Sequence, residues 1–371
     1  MNELLNRDMR EALRLTRRGR LADATALLLG ALRGKSAGAT DPSARADAAA
    51  GSLAGAGAGL WARAKPPRAP TLDIVPESAR WLAKSYSNQA GTRAYKLYVP
   101  SLYRQQSLPL IVMLHGCTQS PDDFAAGTRM NALGEEHTCL VAYPAQAASA
   151  NSSKCWNWFN PRDQQRAQGE PALIAGITRE IIDDYAVDRR RVYVAGLSAG
   201  AAAAAIMGMA YPDIYAAIGV HSGLACGAAH DLPSALAAMR QGNFEAWRRP
   251  GETSGSDAPR PLVPTIVFHG DRDTTVNPCN ADQVIAQSTA AAPADLRKTT
   301  QQGQVPGGHA YRRTIYADAS GRAMIEHWLV LGAGHAWSGG SPAGSYTDPR
   351  GPDASREMLR FFLENPRRLD G

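Results

Sequence analysis

From residue 78 onward the chain alternates short apolar runs with amphipathic stretches. Arg80–Tyr86 and Arg93–Val99 alternate about the turn residues Ala90-Gly91-Thr92 and predict an opening hairpin. Leu110–Leu114, Cys139–Tyr143, Arg191–Ala195, Ala216–His221, Thr265–His269 and Ile325–Leu331 are apolar runs of strand length. Between them, Pro171–Tyr185 puts Ile174, Ile177, Ile181 and Ile182 on one helical face, and the alanine-rich run after Ser198 is a strong helix former. Continuously apolar strands interleaved with helices predict a mostly parallel sheet covered by helices on both faces.

The first 77 residues read differently. Leu4, Leu5, Met9, Ala12 and Leu13 recur at helical spacing, Arg17-Arg18-Gly19-Arg20 breaks the pattern, and Leu21–Leu32 resumes it. Residues 1–33 are therefore expected to be a basic helical segment. Glu3, Asp8, Glu11 and Asp23 make it a poor export signal. Residues 34–77, rich in Ala, Gly, Ser and Pro, have linker composition, leaving 78–371 as the main folded domain.

Charge sharpens this division. The net charge is +6, but residues 1–70 hold 12 Lys+Arg against 6 Asp+Glu, and the remainder balances at 28 against 28. A neutral main body argues against a nucleic-acid groove and suits an uncharged substrate, whereas the basic N-terminal segment suits contact with an anionic surface. No run approaches the roughly 18 apolar residues of a spanning helix. Five cysteines without CxxC spacing and eight histidines without HExxH give no metal site, and no cofactor is expected.

The chemistry concentrates at Arg191–Gly200, RVYVAGLSAG, where an apolar strand runs into Gly196-Leu197-Ser198-Ala199-Gly200 and then into a helix. Strand, GxSxG and helix in that order expose a serine hydroxyl on a sharp turn, the setting of an activated nucleophile. Gly34-Lys35-Ser36-Ala37-Gly38 also matches GxSxG, but no strand precedes it. A serine needs a base and a carboxylate to orient it. Asp273, just beyond the strand ending at His269, is preferred over Asp271, which sits in the immediate turn and is better placed to cap it. His335, in the glycine-rich loop after Ile325–Leu331, has the right chain order; His327 lies inside that strand and His309 on a polar loop upstream. The backbone N–H groups of Ala199 and Cys117 are the expected oxyanion donors, with His115 holding its own loop.

At this point Leu-His-Gly-Cys-Thr-Gln (114–119), Cys-Trp-Asn-Trp-Phe (155–159), Gly-Glu-Pro-Ala-Leu-Ile-Ala-Gly (169–176), Gly-Leu-Ser-Ala-Gly and Asp-Thr-Thr-Val-Asn-Pro (273–278) together resemble the polyhydroxybutyrate-depolymerase family of esterases, over about residues 78–364. The family neighbourhood includes feruloyl and acetyl-xylan esterases. The resemblance implies an α/β-hydrolase fold, a Ser198–Asp273–His335 triad, and an ester substrate that is a polyester, an oligomer or a small acyl ester.

Trp156 and Trp158 flank Asn157 beyond a strand end, so both are expected either to wall the acyl pocket or to pack with indole N–H partners. Cys117 and Cys155 form one candidate disulfide and Cys226 and Cys279 a second, with Cys139 free. Disulfides and the resemblance favour an extracellular site, and the poor export signal favours a cytoplasmic one. The alternatives to an esterase are a binding protein on a hydrolase scaffold, attached through its basic N-terminus, and a serine peptidase of the same fold.

Overall fold

The computed structural model describes residues 76, 78–243, 262–292 and 295–367, all within one compact unit, Pro67–Gly371. The expected helical segment 1–33, the second GxSxG and, apart from Pro76, the expected linker lie outside the described residues.

The strands of the main sheet are β1 (Arg80–Asn88), β2 (Gly91–Val99), β3 (Leu108–Leu114), β4 (Leu140–Pro144), β5 (Val187–Leu197), β6 (Ala217–His221), β7 (Thr265–Gly270), β8 (Arg297–Gln304), β9 (Ala310–Ala317) and β10 (Ala323–Val330), and the α-helices of the described residues are α1 (Pro121–Thr128), α2 (Met130–Glu136), α3 (Gly169–Asp184), α4 (Ala199–Ala210), α5 (Leu232–Gln241), α6 (Cys279–Ala290) and α7 (Ala354–Glu364). The strands run in the order β1-β2-β4-β3-β5-β6-β7-β10-β9-β8. The run from β4 to β10 is parallel throughout, and an antiparallel hairpin closes each edge.

Alternation along β3 explains why the central strands read as unbroken apolar runs. Leu110, Val112 and Leu114 join a core with Ile174, Ile177 and Ile181 of α3 (Gly169–Asp184) and the alanines of α4 (Ala199–Ala210). Ile111 and Met113 face the other way, toward the core of Met358, Leu359, Phe361 and Phe362 from α7 (Ala354–Glu364). Both faces are dry, so no polar alternation survives. The small side chains of α4 let it lie directly on β3, β5 and β6.

The β8–β9 hairpin was not anticipated. In β8 only Gly303 escapes full exposure; the strand is held by main-chain pairing to β9 and carries no apolar stripe. Where β9 meets β10, the fully buried Glu326 receives Arg313 Nε and Nη2 at 3.1 and 2.7 Å, Trp328 Nε1 at 3.0 Å and Arg360 Nη2 at 2.8 Å, joining β9, β10 and α7 through one carboxylate. Removing one member of such a cluster strands the others. Glu326→Ala is therefore expected to cost about 3 kcal/mol or more, read from urea unfolding; a loss below about 0.5 kcal/mol would mean that the two guanidiniums are adequately solvated without it.

Candidate active site

Ser198 directly follows β5 with φ 58° and ψ −120°, a conformation that a non-glycine residue holds only when its surroundings enforce it. The surroundings are glycines. A Cβ at Gly200 would collide with the carbonyl oxygens of Leu114 and His115, and one at Gly196 would lie 2.7 Å from the Leu114 oxygen and strike the backbone of Gly200. Main chain thus packs directly on main chain where β5 passes β3. The Ser198 N–H donates to His221 O at 2.9 Å, and the Ser198 carbonyl accepts from Ala201 and Ala202 at 3.0 Å each. The hydroxyl makes no capping bond to α4, so it is not an ordinary helix-capping serine. Ala199, the first residue of that helix, has an N–H with no intrahelical acceptor.

A Cβ on Gly116 would lie 3.7 Å from Ser198 Cβ, which places the 115–119 turn against the serine. Within that turn Gly116 N–H donates to Gln119 Oε1 at 2.9 Å, Thr118 N–H to Ser153 O at 2.7 Å and Gln119 N–H to Gly116 O at 3.3 Å. Among the described residues the Cys117 N–H has no such acceptor. His115 decides where it points. The ring accepts from Gln146 N–H at Nε2, 3.0 Å, so its hydrogen is on Nδ1, which donates to Gly116 O at 2.8 Å. With the Gly116 carbonyl held on one side of a trans peptide, the Cys117 N–H faces the opposite side. Burial pushes the His115 pKa down to about 4, keeping the ring neutral in this role at neutral pH.

Cys117 is also bridged to Cys155, 38 residues away. The expected second bridge is absent: Cys279 carries a reduced thiol. Cys139 is buried and reduced, its thiol pushed up to about 12 by burial. Of the two readings given for Trp156, the structure fits packing with an indole partner and not a pocket wall. Trp156 is fully buried, and its indole N–H donates to His115 O at 3.1 Å, which makes it a packing support behind the 115–119 turn. Trp158 is 6% exposed and meets Phe159 edge-on at 5.8 Å.

The loops after β5, β7 and β10 leave the same edge of the sheet, because these strands are parallel. His335 Nδ1 donates to Asp273 Oδ2 at 2.7 Å, and Asp273 Oδ1 accepts from the N–H groups of Thr275 and Val276 at 2.9 Å each. Burial alone would raise the Asp273 pKa; bonds from His269 and His335 outweigh it and hold the carboxyl well below the usual carboxylate range. Asp271 instead accepts from Gly332 N–H at 2.6 Å, tying the base loop to β7. His309 pairs with Asp348 at 2.8 Å, and His327 is half-buried within β10.

Two further histidines were not anticipated. His269 Nε2 lies 2.8 Å from Val276 O and 3.4 Å from Asp273 Oδ2, placing a second imidazole behind the acid. His221, whose carbonyl holds Ser198, also accepts from Ser338 N–H at Nε2, 2.9 Å, so one residue joins the serine turn to the segment after His335. A polar residue ending an otherwise apolar strand was the signal available for both.

A parallel sheet that presents a strained serine turn at the end of β5, followed directly by a helix, is an α/β-hydrolase. Residues 93–293, more than half of the chain, match the family described as esterase PHB depolymerase, and the chain belongs to that family. It is 34% identical over 276 residues to poly(3-hydroxyalkanoate) depolymerase C of Paucimonas lemoignei, covering 72% of this chain and 64% of that relative, so it spans a little under two thirds of the relative's length. It is 27% identical over 250 residues to feruloyl esterase B of Thermothelomyces thermophilus, 64% of this chain and 82% of the relative. The solved acetyl xylan esterase from Aspergillus awamori shares the fold at a TM-score of 0.59 and 22% identity, over 77% of this chain and 99% of that one.

Closing a loop of this length makes the disulfide worth roughly 4 kcal/mol by chain entropy. The Cys117→Ser/Cys155→Ser double variant should lose most of that in urea unfolding without reducing agent, and an unchanged midpoint would show that the turn is held by its hydrogen bonds alone. The depressed Asp273 pKa contributes stability that is fully present above about pH 4 and lost as pH falls through the folded-state value. Urea midpoints measured from neutral pH down to about pH 2 should fall less steeply for Asp273→Asn than for the parent chain.

Proposed function

We propose that the chain is a serine carboxylic-ester hydrolase acting on hydroxyalkanoate polyester, its oligomers or similar acyl esters. The observation that carries the reading is the 2.7 Å bond from His335 Nδ1 to Asp273 at the sheet edge that also bears the strained Ser198 turn. With its hydrogen on Nδ1, the imidazole keeps Nε2 free to take a proton. In the proposed sequence Ser198 Oγ attacks the ester carbonyl while His335 accepts its proton. The oxyanion rests on the Cys117 and Ala199 N–H groups, and collapse expels the alcohol with the proton returned by His335. Water then repeats the steps on the acyl-enzyme and releases the acid. Asp273 holds the imidazole in place and stabilises its charge. Trp158, beside the support formed by Trp156, is the proposed contact for the acyl group.

The polyester reading follows the depolymerase at 34% identity, and a feruloyl- or acetyl-xylan-type activity is second, on the feruloyl esterase at 27%. Turnover of p-nitrophenyl acetate and butyrate, methyl ferulate and soluble hydroxybutyrate oligomers separates them. Ser198→Ala should abolish all turnover, and Asp273→Asn should lower kcat by about 10⁴. Retained hydrolysis in folded Ser198→Ala would overturn the serine mechanism; no turnover by the parent chain would favour a binding role on this fold.

A further inference from the structure

Glu170 stands in the first turn of α3, is 5% exposed, and is not part of the machinery described above. Its Oε1 receives Asn157 Nδ2 at 2.8 Å, Gln146 Nε2, and Arg93 Nη2 at 3.5 Å; its Oε2 receives Asn157 N–H at 2.7 Å. Every one of these partners is a donor, so the site is shaped for an acceptor with no hydrogen of its own, an ionised carboxylate. Asp163, the other acid facing it, accepts from the Glu170 N–H at 2.8 Å.

The groups that Glu170 gathers lead to one place. Gln146, held by its side chain to Glu170 and to Cys155 O at 2.8 Å, is the residue whose N–H fixes the His115 tautomer. Asn157, held by both main chain and side chain, follows Trp156, whose indole bonds His115 O, and Cys155, which is bridged to Cys117. One carboxylate therefore holds both Gln146 and Asn157, the residues from which the ties through His115, Trp156 and the disulfide reach residues 115–117.

We propose that Glu170 is a positioning residue for the oxyanion turn: by holding Gln146 and Asn157 together it aims the Cys117 N–H through His115, Trp156 and the disulfide. The proposal rests on the serine-hydrolase reading. Burial makes the group expensive to ionise, pushing its pKa up to about 7. An apolar residue would fill the same space without that cost, but it would offer nothing for four donors to converge on.

A donor that acts only on the developing oxyanion affects kcat and leaves substrate binding alone. Glu170→Gln replaces one acceptor by an amide NH₂ facing donors and breaks at least one connection. Its kcat on p-nitrophenyl butyrate should fall by about 10- to 100-fold, with KM within about twofold, and inhibition by a boronic acid that forms a tetrahedral adduct on Ser198 should weaken by a similar factor. Gln146→Leu removes the side-chain bonds to Glu170 and Cys155 O, leaves the carboxylate and its Asn157 bonds in place, and should lower kcat by about tenfold; it carries the test if Glu170→Gln fails to fold. A folded variant with lower thermal stability but parental kcat and boronate affinity would reduce Glu170 to a packing role and overturn the proposal. Ser198→Ala, measured alongside, separates the two readings. Its retained activity overturns the serine mechanism and this proposal with it, whereas its inactivity beside fully active Glu170 and Gln146 variants overturns only the positioning role.

Discussion

Where β5 passes β3, two backbones touch with no side chain between them, and the rest of the site is arranged around that contact. Gly196 and Gly200 permit it, because any Cβ at either position would strike the Leu114 carbonyl. The contact brings the end of β3 against the serine turn, so the two N–H groups proposed as oxyanion donors, those of Ala199 and Cys117, come from segments far apart in sequence but adjacent in the fold. It also obliges Ser198 to accept a positive φ, at a cost of order 1–3 kcal/mol. The bonds that surround the turn offset the strain: His221 O receives its N–H, and the first turn of α4 donates to its carbonyl.

Neutral imidazoles do much of the holding. His115 and His221 are buried, and burial lowers both pKa values, so each ring offers one donor and one acceptor in a fixed sense. His115 sets the direction of a peptide bond. His221, stacked at 5.0 Å on Trp337 and at 5.7 Å on Phe268, accepts from Ser338 and holds the segment that follows His335. A lysine or arginine could not replace either ring, since neither has an acceptor. His335 differs by environment: it is partly exposed, and its partner is a carboxylate whose charge is secured by two backbone N–H groups.

The parts of this arrangement that were legible in the sequence are those encoded by neighbours along the chain. Apolar runs marked the six central strands, a strand–GxSxG–helix pattern marked the serine turn, and loop position set Asp273 apart from Asp271, although Asp271 holds the distant Gly332 N–H and, among the described residues, no cap of its own turn is seen. What escaped depends on partners distant in sequence. Trp156 could be read either as a pocket wall or as packing, and the choice waits on the His115 carbonyl, 41 residues away, that takes its N–H. Glu170 read only as one letter of a family motif, because its donors come from β2, the segment after β4 and the Trp loop. The β8–β9 hairpin left no trace because an edge strand wet on both faces needs no apolar pattern. Cysteine positions at strand ends suggested two bridges, and only the pair whose loops meet at the serine is joined.

The oxyanion turn is also gripped from its other side. Gln119, whose Oε1 receives Gly116 N–H, donates through Nε2 to Asp123 Oδ2 at 2.9 Å and to Ser345 O at 3.1 Å, while Asp123 Oδ1 receives Ser345 N–H at 2.9 Å. Ser345 lies ten residues beyond His335, so the segment after the His335 loop clamps the turn in which the oxyanion donor is proposed. Supports behind the turn and a clamp in front of it leave little freedom for the Cys117 peptide to reorient. Preorganised dipoles stabilise developing charge because they need not reorganise when it forms. A glycine-bearing loop free in solution would have to be ordered at the moment of reaction, at about 1–2 kcal/mol per residue. Here that ordering is completed on folding, by a disulfide, a buried carboxylate and two neutral imidazoles, before any ester arrives.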